Sequence, residues 1–161
     1  MRPIHLLLPL LLLTLLPALA GSSPPKVILR VHVQTAGEGL SPAQATTIAL
    51  PSSGETIQIR TLPEVSERNL IDVKQDPSGS IRFIFDHQGQ VNLSAVTAEN
   101  QGRILVIFIG SNVEVPIYAP TIDEQITDGE IDIPPSHPIP TQVLQLLLEE
   151  AKENVRQASR S

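Results

Sequence analysis

Histidine, carboxylate and serine are the residue types here that could do chemistry, and their spacing decides against most of it. His32, His87 and His137 lie far apart in sequence, in no H-x-x-x-H or H-x-E pattern, and the chain has no cysteine. Zinc needs several such ligands converging on one point, so no metal centre is expected. The acidic run Asp123, Glu124, Asp128, Glu130 and Asp132 lacks the alternating oxygen ligands and central glycine of a calcium loop, and reads as an exposed acidic edge. No serine sits in a G-x-S-x-G elbow. Ser52, Ser53, Ser78 and Ser80 all fall in turn-like sequence, where serine caps local backbone groups anyway. Gly37-Glu38-Gly39 lacks the strand–turn–helix setting of a phosphate loop. Asn92-Leu93-Ser94 is a formal glycosylation sequon on a predicted helix. The expectation is therefore no catalytic residues, no metal and no cofactor.

Composition narrows the partners. The formal net charge of the 161 residues is -6, with no basic cluster, which argues against nucleic acid and against anionic lipid. The aromatics are Phe83, Phe85, Phe108 and Tyr118 alone, too few for a platform that stacks bases or sugars. Fifteen prolines imply many loops and strand edges.

The first twenty residues read as a secretory leader. Arg2 precedes a leucine-rich core from Leu6 to Leu16, and Ala18-Leu19-Ala20 is a small-residue cleavage signal. That core is shorter than the roughly 20 apolar residues of a spanning helix, so cleavage is favoured over an uncleaved membrane anchor. Cleavage would leave a mature chain without a membrane span, in the periplasm or secreted. Residues 21–26 then form a Ser/Pro linker.

Beyond the linker, Val27, Leu29, Val31 and Val33 alternate with Ile28, Arg30, His32 and Gln34, a half-buried strand that leaves His32 on the wet face. Ala45–Leu50 and Thr56–Arg60 are strand candidates around a Pro51–Gly54 turn. Ser66 should cap a helical turn through Ile71, and Asp76-Pro77-Ser78-Gly79 should form a type I turn. Ile81–Asp86 reads as a strand, Gln90–Glu99 as a helix ended by Gly102, and Ile104–Ile109 as a strand covered on both faces, since it has no polar residue. The helix between these two strands suggests a right-handed crossover joining a parallel pair. Gly110-Ser111 suits a hairpin turn, after which Val113, Val115 and Ile117 alternate with Glu114, Pro116 and Tyr118. Pro116 cannot donate to a ladder, so this strand belongs at an edge. Ile131 and Ile133 mark a last short strand. A C-terminal helix follows, with Thr141 as its cap, Val143, Leu144, Leu147, Leu148, Ala151 and Val155 on its apolar face, and Glu149–Lys152 and Glu153–Arg156 pairs outside.

From Leu62 to about Glu150 these segments stand in an order and spacing that resembles the periplasmic head of SecD, an accessory subunit of the bacterial preprotein translocase. The resemblance is carried by Ser66–Val73, Ile81–Gly89, Val96–Arg103, Ile104–Gly110, Ala119–Ile126 and Asp128–Ile133. Ile109 stands where the family has an Asp, Val115–Tyr118 lengthens the hairpin, and Pro134-Pro135 replaces a Gly-rich step. The resemblance implies an α+β domain over 62–157, with a mixed β-sheet, a crossover helix and a C-terminal helix, of the ferredoxin-like type. Residues 27–61 would be an N-terminal β elaboration and 158–161 a frayed tail.

It further implies a module that holds polypeptide, or an envelope protein partner, outside the membrane, alone or with the export machinery. The translocase's proton-driven membrane part has no counterpart here. An unpaired edge strand can accept an added strand, so the expected polypeptide-binding residues are Val113, Glu114, Val115, Ile117, Tyr118, Ala119, Pro120 and Ile122. Rival readings are a structural envelope component that clamps or dimerises, and, least supported by the residues, a small hydrolase.

Overall fold

A computed structural model describes residues 27–36, 41, 43–51, 53–110 and 116–160 of the chain. Eight strands run in chain order: β1 Ile28–Val33, β2 Ala45–Ala49, β3 Thr56–Arg60, β4 Val65–Ser66, β5 Leu70–Gln75, β6 Ile81–Phe85, β7 Leu105–Gly110 and β8 Glu130–Ile133. Two helices complete the fold, α1 at His87–Glu99 and α2 at Thr141–Ala158. The strands form three small sheets, ordered β4-β1-β7, β2-β3 and β5-β6-β8. The class is α+β, consistent with a ferredoxin-like type.

One expectation about pairing is overturned. The strands flanking α1 are not hydrogen-bonded neighbours: β6 lies between β5 and β8, and β7 lies beside β1, every pairing antiparallel. A helix of this length permits a parallel crossover but does not require one. The alternating strand β1 competes for β7 and wins it along its whole length, from Ile28 opposite Gly110 to Val33 opposite Leu105.

That pairing makes β1 part of the main core rather than an appendage. Val27, Leu29, Val31 and Val33 are buried with Leu70, Phe83, Phe85, Leu93, Leu105, Ile107, Ile109 and Leu147. The other face of β7 is buried too. Val106 and Phe108 pack with Leu50, Ile57 and Ile59 of the β2–β3 hairpin, a second and smaller cluster. So the apolar run Ile104–Ile109 is covered on both faces, as its composition predicts.

His32 departs from its sequence reading. It is buried, 5% exposed, because the hairpin covers the face of β1 that alternation alone would leave wet. Its Nδ1 lies 2.8 Å from the Arg60 carbonyl, and its ring meets Phe108 edge-on at 5.4 Å.

Local chemistry sets the boundaries. Ser66 does cap a helical turn: its Oγ accepts from Arg68 N, and Asn69 Oδ1 accepts from Ser66 N. The turn is a single 3-10 turn, Glu67–Asn69, and Leu70 onward is already strand. Glu67 is buried, and its carboxylate accepts the Leu29 N–H that the two-residue β4 is too short to pair. The helix read from Gln90 begins earlier, at His87, with Asp86 as its cap, Asp86 Oδ1 accepting Gly89 N at 2.7 Å. At the start of α2 the cap is Pro140, not Thr141, and no side chain caps it. On the outer face of α2, Glu153 meets Arg156 at 3.6 Å; no ion pair joins Glu149 to Lys152.

Candidate functional site

The expected binding edge begins with Val113, Glu114 and Val115, which lie outside the described residues. From Pro116 onward the chain runs antiparallel along the side of β7 away from β1, with Tyr118 opposite Ile107 and Thr121 opposite Ile104. Ile107 N donates to Tyr118 O at 2.9 Å, Leu105 N to Pro120 O at 2.9 Å, and Ile122 N to Arg103 O at 2.8 Å. In an antiparallel ladder alternate residues turn their backbone groups inward, here Tyr118, Pro120 and Ile122. Ala119 and Thr121 then turn theirs outward. Neither makes a backbone hydrogen bond to any other described residue.

The side chains divide by the same alternation and by depth. Ile117 and Tyr118 are half-buried against the main core, and the Tyr118 ring lies 4.9 Å from that of His137. Ala119 is half-buried against the smaller cluster, and Pro120 is half-buried. Ile122 is 4% exposed and belongs to the main core, so its side chain holds the segment down instead of facing outward. Thr121, exposed between Pro120 and Ile122, was not singled out in the sequence, yet it carries outward backbone groups. Pro120 takes an inward position, where its carbonyl accepts from Leu105 N but it has no N–H to give back, so it marks an edge without marking Thr121.

The segment that follows is stitched to α1. Thr97 Oγ1 donates to Leu93 O and accepts from Ile126 N at 2.9 Å. Gln125 Nε2 donates to Ser94 Oγ at 2.8 Å, and Gln90 Nε2 to Thr127 O at 2.7 Å. Gly129, at φ +74°, lets the chain pass Gln90 so closely that an added Cβ would come within 2.8 Å of the Gln90 Cβ. Asp123 and Glu124, next to the edge, are exposed.

Several other polar groups have local partners. Arg82 reaches across the β6–β8 pair, bidentate on Asp132 at 2.8 and 2.9 Å, with Glu130 at 2.8 Å. The acidic edge is thus partly neutralised from within. Asn92 of the sequon donates Nδ2 to Glu64 O at 3.0 Å. Among the described residues no three His, Asp or Glu side chains gather as a metal site would need, and no helix is long and apolar enough to cross a membrane. A shallow depression on α1 is lined by His87, Gln90, Val91, Ser94, Ala95 and Thr127, with no carboxylate among them, and Ser94 Oγ accepts from Gln125.

No protein-family model matches the sequence, and no curated protein does. Solved structures that match in shape include two of SecDF. One is of SecDF, described as a membrane component that enhances protein export, with 18% identity and a TM-score of 0.52 over 80% of this chain and 63% of that one. The other is SecDF in its super-membrane-facing form, with 18% identity and a TM-score of 0.51 over 80% of this chain and 19% of that one. The chain therefore spans less than two thirds of either protein and has a similar fold. The likeness covers more of the chain than residues 62–157 could supply, in keeping with a β1 that belongs to the core.

Proposed function

We propose that this chain is a non-enzymatic binding module that acts outside the cytoplasmic membrane and takes up an extended segment of polypeptide, from an exported client or an envelope partner. The observation that carries this reading is the outward row at Ala119 and Thr121, on a strand anchored to a doubly covered β7. Such a row can pair with an incoming strand, main chain to main chain, which gives affinity with little demand for sequence. The shared fold with a component that enhances protein export supports the same reading. The exposed carboxylates of Asp123 and Glu124 would favour clients with basic residues near the paired stretch.

Substitution Thr121→Pro tests it. The Thr121 N–H makes no backbone hydrogen bond to another described residue, so its loss should leave the folded chain's thermal transition within a few degrees of the parent's. Crosslinking of unfolded clients to the exported protein should fall at least about tenfold, the loss of a ladder bond together with the ring clash at the new interface. Undiminished capture by a folded Thr121→Pro chain would refute the edge as the binding site. Capture of one defined protein, or pairing of two copies lost on the same substitution, would favour the clamping or dimerising component instead. Turnover of a substrate panel would revive the hydrolase.

A further inference from the structure

The β2–β3 hairpin is held on the sheet by a small interface with a histidine inside it. A two-stranded hairpin has little stability of its own, so its position depends on docking. The docking groups are Leu50, Ile57 and Ile59 against Val106 and Phe108, the pairing of Ile59 with Gln34, and His32 against the Arg60 carbonyl. A carbonyl can only accept, so His32 Nδ1 carries a hydrogen and Nε2 keeps the basic lone pair.

The charges around this imidazole have one predominant sign. Arg30 lies on the same strand, Arg60 on β3, and Arg103 donates to the Gln34 carbonyl at 3.5 Å. Among the described residues Glu64, just past β3, is engaged by Arg60 at 3.3 Å. The sequences of β2, β4 and β7 contain no titratable side chain.

We propose that His32 makes the hairpin an acid-released cover. A proton taken from solvent at Nε2 places a cation in the interface between β3 and the β1–β7 pair, the hairpin loosens, and Val106 and Phe108 are bared. Burial already lowers the affinity of His32 for that proton, the hydrogen bond to Arg60 opposes the shift, and Arg30 adds to it. The docked state thus binds the proton less well than the undocked state. Docking is complete above the ordinary histidine range and weakens as pH falls through the lowered value. The device concerns the face of β7 opposite the main core and does not rest on the function proposed above.

Amide exchange at Ile57 and Ile59, corrected for the intrinsic effect of pH and compared with Phe83, tests it between about pH 5 and about pH 7.5. The hairpin's opening equilibrium should rise by up to about tenfold per pH unit on acidification, while that of Phe83 does not follow. The rise should vanish in His32→Gln, whose amide can still donate to Arg60, and in His32→Phe. It should persist when His87 and His137 are both replaced by Gln. A hairpin indifferent to pH would overturn the proposal. So would a pH response that survives in folded His32→Gln or disappears in the His87/His137 variant.

Discussion

Single residues in this protein act chiefly by closing local backbone accounts. Asp86 accepts the Gly89 N–H and receives the Asn69 side chain at 3.3 Å, tying the 3-10 turn to the start of α1. Asp86→Ala should cost about 1 kcal/mol in chemical denaturation, the usual loss of an N-cap, with Asp86→Asn close to the parent. Asp76 closes the β5–β6 turn. Its carboxylate accepts the Ser78 hydroxyl at 2.6 Å and the backbone N–H groups of Ser78 and Ser80. The Ser78 hydroxyl first, and the N–H groups of Ser80, Ser78 and Gly79 after it, hold its pKa below the ordinary carboxylate value, against the opposing effect of desolvation. A depressed carboxylate favours the fold above its ordinary range, and that contribution is lost as pH falls through the folded value. An NMR titration should find Asp76 the more acidic by comparison with the same residue in an unstructured peptide, and Ser78→Ala should narrow the difference without closing it. Both turns were legible because cap and turn residues act within three or four positions of themselves.

At the scale of elements the hairpin decides how β7 is buried. Its ladder runs from Ala45 opposite Arg60 to Ala49 opposite Thr56, and Ile57 and Ile59 point at the sheet. Ile59→Ala should cost about 2–5 kcal/mol of docking, as for other fully buried aliphatic truncations. Amide exchange should locate the loss in β2, β3 and the even positions of β7, with β6 little affected. The two hairpin strands were readable from their alternation and from the Pro51–Gly54 turn. What they cover was not. Alternation in β1 predicts one wet face, and His32 is dry only because another element folds over it. The same limit applied to the strands flanking α1. Their existence was plain from composition, but the choice of ladder partner depends on which distant strand reaches each edge first.

The whole molecule closes around α2. This helix packs on β5 and on the 3-10 turn, burying Leu147 and Ala151, while Asn154 Nδ2 donates to both Glu67 O and Leu70 O at 2.8 Å. Its apolar spacing announces a buried face, and that face closes the main core against β5. Removing residues 141–158 should therefore abolish the cooperative thermal transition and leave dye-binding apolar surface, since no other described element covers this side of β5. The fold that results is shared with the export component at 18% identity, which is what one expects when pattern and topology are kept and individual contacts are not.

The sequence by itself determined where most strands and helices lie, the Ser66 cap and the Asp76–Gly79 turn, the apolar strand covered on both faces, and the lack of any spacing suited to metal or nucleophile. These follow from interactions between residues a few positions apart and from the period of the apolar pattern. Only the tertiary structure decided that β1, not β6, lies beside β7, that His32 is enclosed, and that Ala119 and Thr121 turn their backbone groups outward while the Ile122 side chain turns into the core. Each of those outcomes joins segments separated by tens of residues, and a one-residue change of register would reverse which side chains face the core.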